Sequence, residues 1–148
     1  MCGNVKYQKS SIQTYNNSAQ TVAANSSVNL GNTSVDTGCS IQHTSGSTSL
    51  SIKNPGLYLI MFDAVGANST LVSGDVTVQL YKNGIAVPDA FSSSTSASST
   101  DNVSLSFAKL VQISPSCCAV DNSAQFTFVN TGVSTTFSHV NVVAYKLA

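Results

Sequence analysis

The two histidines, His43 and His139, are the residues from which acid–base chemistry would have to start in this chain. A serine or cysteine nucleophile needs a neighbouring base and a third group that orients that base. The sequence contains no Glu, and none of its serines stands in the Gly-x-Ser-x-Gly pattern of a nucleophile turn. We therefore expect a protein that is not an enzyme, with its histidines at a sheet edge or a subunit contact.

Four cysteine and histidine residues have types that could hold a metal ion: Cys39, His43, Cys117 and Cys118. Zinc prefers thiolate and imidazole ligands, but the spacing here matches no recognised finger. A disulfide from Cys39 to one of the adjacent pair is a second interpretation. Free thiols buried as small apolar side chains are a third, which we favour. The sequence leaves all three open, and we expect no metal and no cofactor.

The charge of the chain is unusual because all six acids are Asp and all six bases are Lys. Without Arg there is no planar fork for phosphate or guanine, and the formal net charge is zero, so we expect no nucleic-acid partner. Residues 1–7 have no apolar run of the kind found in secretory signals, and no stretch reaches transmembrane length. We expect no membrane partner either.

Ser, Thr and Asn together supply 53 of the 148 residues, which favours turns and strands over helices. Short apolar segments recur between turn residues, a pattern typical of a sandwich or barrel. We predict strands at residues 15–23, 39–44, 49–52, 57–65, 76–82, 85–87, 103–113, 124–129 and 135–145, and an exposed loop at 92–100.

Two segments carry the clearest signals. In residues 57–65 both alternating faces are apolar, as in a strand buried on both sides. Residues 76–82 place Val76, Val78 and Leu80 on one face, and Asn83 with Gly84 then predicts a tight hairpin.

A third segment, residues 135–145, also alternates. Simple alternation there puts Phe137 on the same face as His139.

This order of segments resembles the tumour-necrosis-factor and complement-globular-head jelly rolls. The resemblance lies in the run Gly-Leu-Tyr-Leu-Ile-Met-Phe at 56–62 after a turn and Val-Gln-Leu-Tyr-Lys-Asn-Gly at 78–84 after a further loop. It is closest to bacterial and phage members, including the heads of collagen-like spore-surface glycoproteins, through residues 41–46 and 137–143. It covers residues 12–148.

The resemblance implies an all-β, two-sheet antiparallel jelly-roll sandwich that assembles as a trimer. It divides the chain into a short attachment segment, residues 1–11, and a head, residues 12–148. It also implies that the turn with Cys117 and Cys118 lies at the same end as the N-terminus, with Cys2 nearby. That end would be the base through which the head joins a capsid or particle.

Six residues are candidates for the core or the trimer interface because they fall on alternating strand positions: Tyr58, Phe62, Phe107, Phe137, His139 and Tyr145. The functional expectation is a surface knob on the virion of a phage or prophage: a head fibre, decoration or receptor-binding protein that recognises a glycan or a protein. The alternative is a structural component of a bacterial spore coat or cell surface.

Overall fold

Alternation of apolar and polar residues between turns gives an all-β chain. The computed structural model describes residues 9–115 and 123–148, and every strand pairing in them is antiparallel. The strands are β1 Ser11–Asn16, β2 Gln20–Val22, β3 Asn32–Thr37, β4 Ile41–Gln42, β5 Ser49–Ile52, β6 Gly56–Asn68, β7 Gly74–Lys82, β8 Ile85–Ser96, β9 Val103–Ile113, β10 Ala124–Asn130 and β11 Thr135–Lys146.

The strands form two sheets that face each other. The six-stranded sheet has the order β3-β1-β11-β6-β9, with β2 paired to β11, and the five-stranded sheet has the order β4-β5-β10-β7-β8. The chain crosses repeatedly between the sheets, and its first strand pairs with its last. This is a two-sheet jelly roll, as expected from the sequence.

The strongest local predictions are confirmed. Asn83 and Gly84 have φ angles of 50° and 79° and join β7 to β8 as a tight hairpin. A turn of this kind needs positive φ at both central positions, which Asn and Gly tolerate best. Val76, Val78 and Leu80 are fully buried on one face of β7.

Three local predictions are wrong. The single strand expected at residues 15–23 is two, because β1 ends at Asn16 and β2 begins at Gln20. Strand β3 was not predicted, since its residues Asn32–Thr37 are mostly polar and exposed. The loop expected at residues 92–100 begins only after Ser96, because the hydroxyl-rich end of β8 pairs along β7 from Gly74 to Val78.

One hydrophobic core fills the space between the sheets. Its largest fully buried side chains are Tyr58, Phe62, Phe126, Phe128, Phe137, Ile12, Leu30, Ile41, Leu50, Ile52, Ile60 and Leu80. The ring centroid of Phe62 lies 5.0 Å from that of Phe128 and 5.3 Å from that of Phe107, in stacked arrangements. Burial raises the pKa of the Tyr58 phenol, whose hydroxyl donates a hydrogen bond to the carbonyl oxygen of Asn54 at 2.7 Å.

Thr14 on β1 offers a first prediction, because its hydroxyl is buried in the core and has no hydrogen-bond partner in the described part of the chain. An unsatisfied buried polar group costs about 1–3 kcal/mol. Thr14→Val keeps the shape and removes the hydroxyl. We expect it to raise the free energy of unfolding by about 1 kcal/mol, measured by urea denaturation. An unchanged or lower midpoint would show that the hydroxyl has a partner.

The sandwich has two distinct ends. At the base, β1 begins, β11 ends, and the backbone amide of Lys146 bonds to the carbonyl oxygen of Ser10 at 2.8 Å. The end of β9 at Ile113 and the start of β10 at Ala124 lie at this same end. At the tip are the β6–β7 loop, the β8–β9 loop and the β10–β11 turn.

Candidate functional site

The outward side of the six-stranded sheet carries an apolar surface. In the register of the sheet, Met61 lies between Val143 and Ala108, and the next row places Leu59 between Tyr145 and Leu110. On the far side of β1, Gln13 separates Val143 from Val35. We call the following residues the apolar face: Val35, Leu59, Met61, Ala108, Leu110, Val143 and Tyr145.

The apolar face is only partly covered by the chain itself. Leu59, Met61, Val143 and Tyr145 are half-buried, and Leu110 is 54% exposed. On β6, the inward side is buried at every alternate position from Tyr58 to Ala64. The sequence predicted β6 to be buried on both sides, but within one chain only the inward side is.

Towards the tip the same side of the sheet becomes polar. Asp63 lies between Asn141 and Ser106, and the amide nitrogen Nε2 of Gln13 donates to Oδ1 of Asn141 at 3.2 Å. His139 is exposed beyond this row, with its Nδ1 atom 2.6 Å from Oδ1 of Asn17. The apolar face is therefore confined to the basal half of the sheet.

The six residues proposed for core or interface separate into distinct places. Tyr58, Phe62 and Phe137 are core, and Phe107 is partly buried against the core. His139 and Tyr145 are the two that lie on the outward side. Sequence reasoning did not name Leu59, Met61 and Val143 as interface candidates, although their alternation with buried neighbours was visible in residues 57–65 and 135–145.

The expectation that Phe137 and His139 share a face is wrong. The register of β11 against β6 shifts between these two residues, so that Phe137 faces the core together with Val140. A bulge of one residue reverses the side on which the neighbouring side chains lie. Gly66 lies opposite, where a Cβ atom would come within 2.8 Å of the Phe137 ring.

An apolar cleft of about 470 Å³ adjoins the apolar face at the base. It lies between the β7–β8 hairpin and the end of β9, and it is lined by Lys82, Asn83, Ile85, Ala86, Val87, Pro88, Leu110, Val111 and Gln112. Leu110 belongs both to the cleft and to the apolar face. Ile85, at the other wall, is 73% exposed. The cleft therefore extends the apolar surface round the edge of the sandwich.

Cys39 is disulfide-bonded. Cys2, Cys117 and Cys118 lie outside the described residues. The free thiol that we favoured for Cys39 is thus wrong, and a bridged sulfur is not a thiolate ligand for zinc. The prediction that Cys39 pairs with Cys117 or Cys118 involves residues outside the described ones and stays a prediction. His43 has its Nδ1 atom 2.9 Å from Oγ1 of Thr33. Within residues 9–115 and 123–148 no three His, Cys or Asp side chains come together as a metal site.

Reduction of the disulfide at Cys39 gives a second prediction. A native disulfide typically contributes about 2–4 kcal/mol by restricting the unfolded chain. We expect dithiothreitol to lower the thermal midpoint measured by circular dichroism. Cys39→Ser is the matched control, because its midpoint should already be low and should not fall by the same amount on reduction. Equal midpoints with and without reductant in the unmodified chain would contradict a stabilising role.

Charge is distributed unevenly between the two ends. Lys9, Lys53, Lys82 and Lys146 lie at basal ends of strands, and Lys109 lies four residues from the basal end of β9. The tip has Asp75 and Asp101 and, within the described chain, no Lys, whereas at the base Asp36 near the end of β3 offsets one of the lysines. A net charge of zero therefore conceals a positive base and a weakly negative tip.

With the two sheets and their order known, the fold can be compared with solved structures. The globular domain of a zebrafish complement 1qA protein matches with a TM-score of 0.65 and 8% identity, covering 94% of this chain and 98% of that one. Eiger TNF from S. frugiperda matches with a TM-score of 0.60 and 11% identity, covering 95% and 92%. The chain has the jelly-roll fold shared by tumour necrosis factor and complement globular heads.

PRD1 vertex protein P5 also matches, with a lower TM-score of 0.48 at 17% identity, covering 99% of this chain and 100% of that one. No family model matches the sequence, and no curated protein does. Among the described residues there is no helix long and apolar enough to cross a membrane.

Proposed function

We propose that this chain is a non-enzymatic, trimeric surface head that buries its apolar face against neighbouring copies. The observation that carries this proposal is the apolar face itself. Seven apolar or aromatic residues lie together on a flat sheet, and such patches typically mark protein contacts. The two histidines support a binding role over catalysis, since His43 contacts Thr33 and His139 contacts Asn17 on different parts of the fold.

The cleft supports a ring over a two-fold dimer. The apolar face lies on the flat side of the six-stranded sheet, whereas the cleft lies round its β9 edge. Contact between the face of one copy and the edge of the next is head-to-tail, and such contacts form a closed ring when the rotation from copy to copy returns to the first. Three copies is the number implied by the family that the sequence resembles.

Light scattering coupled to size exclusion tests the assembly. We expect a mass of about three times the 15.3 kDa chain at micromolar concentration. Sedimentation velocity at several concentrations provides a second measurement of the same quantity. A stable monomer under these conditions would overturn the proposal.

We further propose that the head is carried on a phage or prophage particle, attached through its base. The sequence resemblance to phage and bacterial heads supports this assignment. The arrangement of the chain supports attachment through the base, because the base contains the first described residues, the end of the last strand and Cys39. The tip, by contrast, presents loops to solvent. Mass spectrometry of particles purified from induced cultures tests the location, with purified spore coats as the comparison. Recovery from the coats and not from the particles would favour the spore alternative.

A further inference from the structure

A second flat surface lies on the opposite side of the sandwich, on the outward side of β7 and β8. Inward positions Val76, Val78 and Leu80 are fully buried, so the residues between them point outward. We call the following residues the polar face: Asp75, Thr77, Gln79, Tyr81, Asp89, Phe91, Ser93 and Thr95. In a trimer joined through the six-stranded sheet, this face stays in solvent.

Phe91 is the unusual member of the polar face. Its ring is 53% exposed in the middle of a strand whose following residues are small and hydroxylated. Gln79 lies directly opposite on β7, and Tyr81 lies two residues further along the same face of that strand. Directly opposed residues of a pair have Cβ atoms about 4.5–5.5 Å apart. An exposed aromatic platform is therefore flanked by an amide and a second ring.

A bulge places a carboxylate beside this platform. The register of β8 against β7 shifts between Gln79 and Tyr81, which pair with Phe91 and Ala86. Asp89 sits in the inserted segment with a φ of 61°, a conformation uncommon for residues other than Gly. Asp89 and Phe91 are both exposed, on either side of the fully buried Ala90.

The hydrogen-bonding groups of the polar face offer acceptors to a ligand. The amide Nε2 of Gln79 donates to the carbonyl oxygen of Val87 at 2.8 Å, and within the described residues its Oε1 atom accepts no hydrogen bond. The hydroxyl of Thr95 donates to Oδ1 of Asp75 at 2.6 Å. Within the described chain, the Asp89 carboxylate makes no hydrogen bond.

A surface that has hydrogen-bond acceptors but no cation favours ligands that donate hydrogen bonds and carry no negative charge. The outward positions of β7 and β8 carry two Asp and no Lys, so phosphate, sulfate and carboxylate groups are repelled. Hydroxyl groups, by contrast, donate readily to carboxylate and amide oxygens. A ring such as Phe91 supplies an apolar platform that holds a ligand by area and geometry.

From these contacts we propose that the polar face binds a neutral glycan. A sugar ring packs against Phe91, and its hydroxyls donate to Asp89 and to Oε1 of Gln79. The inference rests on the proposed function in one respect only, namely that a surface head needs a receptor. Sugar binding itself is a property of the single chain.

An array of oligosaccharides tests the ligand class directly. The neutral arm carries glucose-, galactose-, mannose- and N-acetylhexosamine-terminated glycans, and the anionic arm carries sialylated and sulfated ones. We expect retention of the labelled protein on neutral glycans alone. Retention only on anionic glycans, or on none, would overturn the proposal. Binding of the labelled protein to an immobilised acidic or basic homopolypeptide, and not to sugars, would also overturn it.

Two variants locate the site on the array and in a titration followed by NMR. Phe91→Ala should weaken binding of the best neutral oligosaccharide by about tenfold or more, because the platform is lost. Asp89→Asn keeps the shape but weakens the acceptor, and it should cost a smaller factor. Leu71→Ala is the matched control, since Leu71 is an apolar side chain that is even more solvent-exposed than Phe91 but lies at the tip. Unchanged affinity in Phe91→Ala would exclude this site.

Light scattering on the same samples separates this proposal from the previous one. The Phe91→Ala variant should keep the mass of the unmodified assembly. A monomeric chain that still binds neutral sugars through Phe91 would overturn the trimer and support the glycan site. A trimer that ignores neutral sugars would overturn the glycan site and support the trimer.

Discussion

Replacing Phe62 by alanine is expected to lower the free energy of unfolding by about 3–5 kcal/mol. The side chain is 1% exposed, and its ring stacks against those of Phe107 and Phe128, at centroid distances of 5.3 and 5.0 Å, in a cluster of three rings. Its loss removes buried apolar area and two ring contacts, and it leaves a cavity that the rigid sheets cannot close. Urea denaturation followed by circular dichroism measures the change.

The control for this prediction is the same substitution on the surface. Phe91→Ala removes a ring that is 53% exposed on the outside of β8, so its effect on stability should stay within about 0.5 kcal/mol. Similar losses in the two variants would mean that Phe62 does not sit in the core as described.

Placing a carboxylate in the middle of the apolar face is expected to dissociate the proposed trimer. Met61→Glu puts a charge between Val143 and Ala108, and assembly would then bury it without a partner three times per trimer. Burying an unpaired charge costs several kcal/mol at each contact, which weakens assembly by orders of magnitude. Light scattering should report a folded monomer at micromolar concentration, because Met61 is half-exposed in the single chain.

Gln125→Glu serves as the control, since it adds the same charge to the outward side of the five-stranded sheet. That variant should remain trimeric. If Met61→Glu keeps the unmodified mass while remaining folded, the apolar face is not the contact between copies.

The parts of the fold that sequence could predict are those governed by local rules. Asn83 and Gly84 determine a hairpin by their own conformational preferences, and the alternation in residues 76–82 determines which side of β7 is buried. Residues 92–96 could not be assigned in this way. They are small and hydroxylated, and they become a strand because β7 lies alongside to pair with them.

The candidate sites were harder to predict than the strands. Regular alternation assigns a face to every residue of a strand, but the bulge between Phe137 and His139 breaks the alternation, and nothing in the local residue types signals it. Phe91 looked unremarkable for a similar reason. Its importance depends on Gln79 and Tyr81, which only the register of the sheet brings beside it.

The uneven placement of lysine makes this nearly neutral chain an electric dipole. Around a three-fold axis, the lateral components of three such dipoles cancel and the axial components add. The assembly should therefore adsorb on a cation exchanger with its base down, although the calculated isoelectric point is only about 6.7. Screening by 0.15 M salt, with a Debye length of about 8 Å, would release it. On any anionic body the same field would orient arriving heads before contact, leaving Leu71 and Val72 at the outermost point of each.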